Sequence, residues 1–133
     1  MSPERALIAA MREALLADAG VQALVAERVY DDPPQDVVFP YVTLGRVESR
    51  PADAASRDAL EHAVTLHAWS QYGGRAETLD IISALRAALH NAPLEVEGHR
   101  LVLLLATFAD VFRSGDGRTT HGVLRLRAIT ELE

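Results

Sequence analysis

The sequence predicts an α+β fold: a mostly antiparallel sheet of about four to five strands, two main helices packed on one face, and a long C-terminal β-hairpin. Three observations carry that prediction. Apolar residues recur at helical spacing in two stretches, 3–18 and 73–93. They alternate with polar residues in 41–49, 61–70 and 121–131, the period of a half-buried strand. An apolar run at 99–113 is joined to the last of these by "SGDGRT", whose Gly-Asp-Gly core signals a hairpin turn.

Each element has local reasons. The first helix has Ser2 as N-cap, Pro3 at its first position and Glu4 at the positive end of its dipole. Leu7, Met11, Ala14 and Leu15 share one face, and Gly20 is expected to end it. "VQALVAERVY" then reads as a short helical turn or irregular link. In "YVTLGRVES" (41–49), Val42 and Leu44 face one way and Val47 the other, so Gly45 at the switch predicts a β-bulge or bend. "SRPADAASRDAL" (49–60) reads as a mobile polar loop.

In "EHAVTLHAWS" (61–70), Val64, Leu66 and Ala68 face one side and Thr65, His67 and Trp69 the other. The second helix is opened by Gly73 and Gly74 and lined by Leu79, Ile82, Leu85 and Leu89. Asn91 closes it in a left-handed conformation and Pro93 forbids continuation. A short strand is expected before the hairpin. On the return strand Leu124, Leu126 and Ala128 point inward, Arg125 and Arg127 outward. The outgoing strand is apolar at both parities through Leu105, which predicts cover on both faces there.

A chain of 133 residues is long enough for a real core and predicts a single domain over 1–133. It has no cysteine, so neither a disulfide framework nor a thiolate metal site is available. Charges at Glu4, Arg5, Arg12 and Glu13 interrupt the N-terminal apolar positions, which predicts a soluble, cytoplasmically made chain without leader or membrane span. All 13 basic residues are arginine and the net charge is −6. An acidic chain is a poor nucleic-acid binder, since phosphate attraction dominates that affinity.

The residue types that carry chemistry do not fall into a reactive pattern. Asp31, Asp32 and Asp36 sit in "YDDPPQDVVFPYVTLG", but a calcium loop needs alternating ligands, a turn glycine and a distal glutamate. Pro33 and Pro34 instead make this a rigid, exposed approach to the strand at Tyr41. His62 and His67 are five apart and so project to opposite faces of a strand. His90 suits a helix C-terminus, and His99 and His121 flank the hairpin with no third ligand evident. Ser70 in "AWSQYGG" lacks the glycines of a nucleophile elbow, and "YGGR" lacks the spacing of a phosphate loop. No catalytic, cofactor or metal residue is assigned. What remains is a sheet face carrying Trp69, His67, Arg125 and Arg127, residue types enriched at protein interfaces.

Three blocks in order resemble a known family. They are V-Y-D-x-x-P-Q…F-P-Y at 29–41, H-x-W-S…G-x-x-E at 67–77, and D-G-x-T-x-H-G at 116–122. At this spacing, from about residue 5 to 131, the chain resembles the tail-completion, or tail-terminator, proteins of long-tailed phages and gene transfer agents. The resemblance implies structural work: a ring of about six subunits that caps the tail tube and joins it to the head-side connector or stopper protein, assembled in the bacterial cytoplasm. DNA would only pass through the channel, and acidic charge would keep it from sticking. The resemblance supplies no contact residues. The charged loop with Arg50, Asp53, Arg57 and Asp58, and the hairpin tip with Arg113, Asp116 and Arg118, are the expected contacts with tail tube or connector. Arg125 and Arg127 are expected near a subunit boundary. The alternatives are a ligand-binding or enzymatic domain with a pocket at Trp69 and His67, and more remotely a regulatory adaptor.

Overall fold

The computed structural model describes residues 1–52 and 58–133. Its elements are α1 (Pro3–Ala17), α2 (Ala19–Val25), β1 (Val29–Tyr30), β2 (Tyr41–Pro51), β3 (Leu60–Ser70), α3 (Ala76–Leu89), β4 (His99–Arg113) and β5 (Thr120–Leu132). They form one five-stranded sheet in the order β1-β2-β3-β5-β4. Only β1 and β2 run parallel; the other neighbours are antiparallel. The α+β class and the C-terminal hairpin are as the sequence predicts.

The N-cap reading of α1 holds: the Ser2 hydroxyl accepts from the Arg5 N–H at 3.1 Å and Pro3 opens the helix. Gly20 does not end it. Asp18 is extended and closes α1, and its carboxylate accepts from Val21 N–H at 3.0 Å to start α2. An aspartate able to cap the next helix therefore sets the break, and Gly20 lies inside α2. The link after α2 contains β1, two residues whose pairing with Val42 and Thr43 no local periodicity announces. Conversely, residues 94–98 form no strand.

The core lies between the helices and one sheet face. Leu7, Met11 and Leu15 of α1, Ile81, Leu85 and Leu89 of α3, and Val64, Leu66, Leu124 and Leu126 of the sheet are buried. The α3 face is rotated from the expected one: Thr78 and Ile81 are buried, while Leu79 is 51% exposed. Gly122 explains the seating of α3. A Cβ there would come within 2.8 Å of Ile82 Cγ1 and Thr78 Cγ2, so the helix rests directly on the backbone of β5. Asn91 adopts the expected left-handed angle, φ 61°. His90 Nδ1 accepts from Ala106 N–H at 3.0 Å, and Asn91 N–H donates to Leu104 carbonyl at 2.8 Å. The end of α3 is thus pinned to the outer edge of β4.

Gly45 lies at the expected bulge, where the β2–β3 register shifts between Leu44 and Val47. A Cβ on Gly45 would approach the Thr65 carbonyl to 2.8 Å, so the switch of parity also requires a residue without a side chain. The double cover expected for β4 is not complete: Leu104 is buried, but Val102 is 41% exposed. Position explains this, because β4 is an edge strand with β5 on one side only.

Gly122→Ala is expected to destabilise the fold by about 1–3 kcal/mol, since overpacking forces α3 away from β5. Urea unfolding of the variant against the parent chain checks this, with the midpoint lowered and the slope unchanged.

Candidate protein interface

The helices cover one face of the sheet. On the other face, strand register stacks side chains into rows. The first row crosses four strands: Tyr41 pairs with Trp69, Trp69 with His121, and His121 with Phe112. Their rings touch in sequence, with Trp69 stacked on His121 at 3.9 Å between centroids and Phe112 at 4.9 Å from His121. Tyr30 extends the row to β1, 6.2 Å from Tyr41, and Phe39 packs edge-on to Tyr41 at 5.1 Å. The second row carries Thr43, His67, Val123 and Asp110.

Thr43, His67, Trp69 and His121 bond one another within these rows. Trp69 N–H donates to Thr43 Oγ1 at 3.0 Å, and His67 Nδ1 lies 2.8 Å from His121 Nε2, one donating to the other. Burial disfavours the charged form of both rings and holds their pKa values below the ordinary 6.5, and for His121 the neighbouring His67 adds to the effect. Trp69 and His67 therefore build a rigid ladder instead of lining an open pocket. The His67–His121 pair could not be read from sequence, because 54 residues separate its members. His99 and His121 lie far apart: His99 pairs with Leu132 at one end of the hairpin and His121 with Phe112 near the other.

Further along the same face, Arg125 lies over Phe108 with its guanidinium carbon 4.8 Å from the ring centroid. Arg127 Nε donates to Glu61 Oε2 at 2.7 Å, and Arg50 lies 3.7 Å from the same oxygen. The Arg127 hydrogen bond holds the Glu61 carboxyl below its usual range. Arg50, Glu61, Arg125 and Arg127 line a groove of about 570 Å³, reached by neither Trp69 nor His67. Arg125 and Arg127 thus project from the helix-free face as the alternation of β5 requires.

The hairpin tip is a folded turn. Asp116 accepts from the Arg118 and Thr119 N–H groups, each at 2.8 Å, and from the Thr119 hydroxyl at 2.8 Å. Those bonds lower its pKa and hold its carboxylate in the turn, where Arg113 and Arg118 are exposed beside it. Asp58 is exposed at φ 62° just before β3. Asp53 and Arg57 lie outside the described residues.

His62 is the other site that sequence reasoning passed over. It is fully buried on the helix side, bonded to Ser49 Oγ at 2.7 Å and Thr130 Oγ1 at 2.9 Å. Both ring nitrogens are engaged and the ring is sealed from solvent, so the group braces β2, β3 and β5. Burial keeps its pKa low. Among the described residues no cluster of three or more His, Asp or Glu has a metal-binding arrangement, and no helix is long and apolar enough to cross a membrane.

Comparison with known proteins places the chain. It matches the family described as tail completion protein gp17 over residues 9–131. The chain belongs to that family. It is 34% identical over 105 residues to the tail completion protein gp17 of Bacillus phage SPP1, covering 77% of this chain and 76% of the relative. The solved structure of the SPP1 gp17 protein superimposes with a TM-score of 0.61 at 30% identity, covering 93% of this chain and 88% of that one. A chain in the virion of a native gene transfer agent particle superimposes with a TM-score of 0.91, also at 30% identity, covering 98% of both. Family and fold together make this a tail completion protein of the phage and gene-transfer-agent type, a structural component of such particles.

The histidines give a pH dependence. His62, His67 and His121 titrate below 6.5 when folded and near 6.5 when unfolded, so above that pH neither state holds the extra protons. Below it the unfolded chain takes protons that the folded one refuses, and stability falls. Denaturant unfolding between pH 8 and 5 is expected to show stability flat above about 7 and declining below 6.5, by at most about 1.4 kcal/mol per pH unit for each histidine.

Proposed function

We propose that this chain, as one unit over 1–133, is the tail terminator of its particle: a ring of about six copies caps the tail tube and joins it to the head-side connector. Membership of the tail completion family supports the class of work. The observation that carries the ring is the helix-free sheet face, where Phe108 and Phe112 are 45% and 41% exposed beside a row of stacked aromatics. Exposed aromatic and arginine side chains on a rigid sheet are what a protein partner buries.

The backbone also agrees closely with a chain from an assembled gene transfer agent particle, which supports an assembly-competent fold. The work is mechanical and electrostatic, with no catalytic step. A net charge of −6 per subunit lines such a ring with negative potential, so DNA passes without adhering. The pocket reading loses its main residues, since Trp69 and His67 spend their polar atoms on Thr43 and His121.

Arg50, which lies in β2 rather than in the loop expected to hold it, and the tip with Arg113 and Arg118 lie at opposite ends of the strands, because Arg50 pairs with Glu61 while Arg113 pairs with Thr120. One end is then available to the tail tube and the other to the connector. Imaging of the purified chain with tail tubes is expected to show a ring with an axial hole; tubes left uncapped would overturn the reading. Deletion of 52–57 is expected to leave a folded protein that no longer supports particle assembly. Wild-type particle yield from that deletion would remove the loop from the contact.

A further inference from the structure

Two exposed patches sit on opposite edges of the sheet and at the same end of the strands, one acidic and the other carrying two arginines beside Asp110 and Asp116. On the β1 edge, the loop from β1 to β2 carries Asp31, Asp32 and Asp36, all exposed, and then Val38, 62% exposed. None of the three aspartates has an ion pair within 4.0 Å among the described residues. On the β4 edge, Phe112 is 41% exposed and Arg113 and Arg118 flank the hairpin turn, likewise without a carboxylate within 4.0 Å among the described residues. The row Tyr41–Trp69–His121–Phe112 runs straight from one patch to the other, which fixes them at the same level of the sheet.

We infer that these patches are the two halves of one contact: the acidic loop of each copy docks on the hairpin edge of the next. This rests on the ring reading above and names the residues that close it. Four arguments select a second copy as the occupant. A ring needs head-to-tail contacts between two different, complementary patches on opposite sides of the subunit, and these are such a pair. Rotation about an axis roughly along the strands keeps both patches at one level.

Copies carrying −6 each repel one another, so a contact that brings arginines to carboxylates is favoured, and Arg113 and Arg118 have no carboxylate within 4.0 Å among the described residues, Arg113 donating to the Gly117 carbonyl at 3.3 Å. The apolar parts match too, Val38 on one side and Phe112 on the other. Pro33 and Pro34 hold the acidic loop in a set conformation before it binds, which lowers the ordering cost of the contact. Asp116 stays ionised and exposed in the hairpin turn and offsets part of the arginine charge, but its oxygens are bonded to the turn, which leaves the two guanidinium groups as the donors an incoming aspartate meets.

The test uses two full-length variants, D32R/D36R and R113E/R118E. Sedimentation velocity of each alone is expected to show self-association at least tenfold weaker than the parent chain. Mixed in equal amounts, the two are expected to co-assemble, because the reversed loop of one now meets the reversed hairpin of the other, and the unreversed pair meets as before. Either variant assembling alone like the parent, or a mixture that stays apart while the parent assembles, overturns this inference and leaves the ring reading standing. A parent chain that remains monomeric both alone and on tail tubes overturns both.

Discussion

The unbroken register between β3 and β5 is the constraint on which the rest depends. From Leu60 opposite Thr130 to Ser70 opposite Thr120, the two central strands pair without a bulge. Strand side chains alternate, so this one register decides that Val64, Leu66, Leu124 and Leu126 meet the helices while Trp69, His121 and Arg125 do not. A slip by one residue would exchange the two sets. The buried His62, held between Ser49 and Thr130, works against such a slip, because its nitrogens would lose both partners in an apolar interior. Gly122 does the same from the helix side, since only there does α3 find room to lie against β5.

With the register fixed, the two faces have separate tasks. The helix side is a packed core, and the open side is a rigid platform whose rings and histidines brace one another across the strands. The irregularities all lie outside the central pair: a bulge in β2 at Gly45, and register shifts in β4 near Val102 and Thr107. Strands at the margins can bend to suit a neighbour because the centre does not. At its middle, the free edge of β4 is hydrogen-bonded to His90 and Asn91, which leaves the hairpin end as its open part.

Much of this was legible in the chain. The Ser2 cap, the glycine at the parity switch, the left-handed Asn91 and the Gly-Asp-Gly turn each follow from the local stereochemistry of one or two residues. Where the reading failed, a competing local cap or a distant partner decided. Gly20 lost to Asp18 because a carboxylate can cap the following helix. Leu79 faces solvent because contact between Thr78 and Gly122 turned α3. β1 exists only because Val29 and Tyr30 find the edge of β2.

By itself, then, the sequence determined the class of fold, the inward and outward sets of each central strand, and a family likeness carried by short blocks along nearly its whole length. These are properties of nearest neighbours and of periodicity, which a chain displays before it folds. The tertiary structure alone decided which outward residues meet. It stacked Trp69 on His121, joined His67 to it, left β4 at an edge with its apolar face half open, and set an acidic loop and an arginine-bearing hairpin at one level on opposite edges. Strand order brings together residues tens of positions apart, and no local pattern encodes that order.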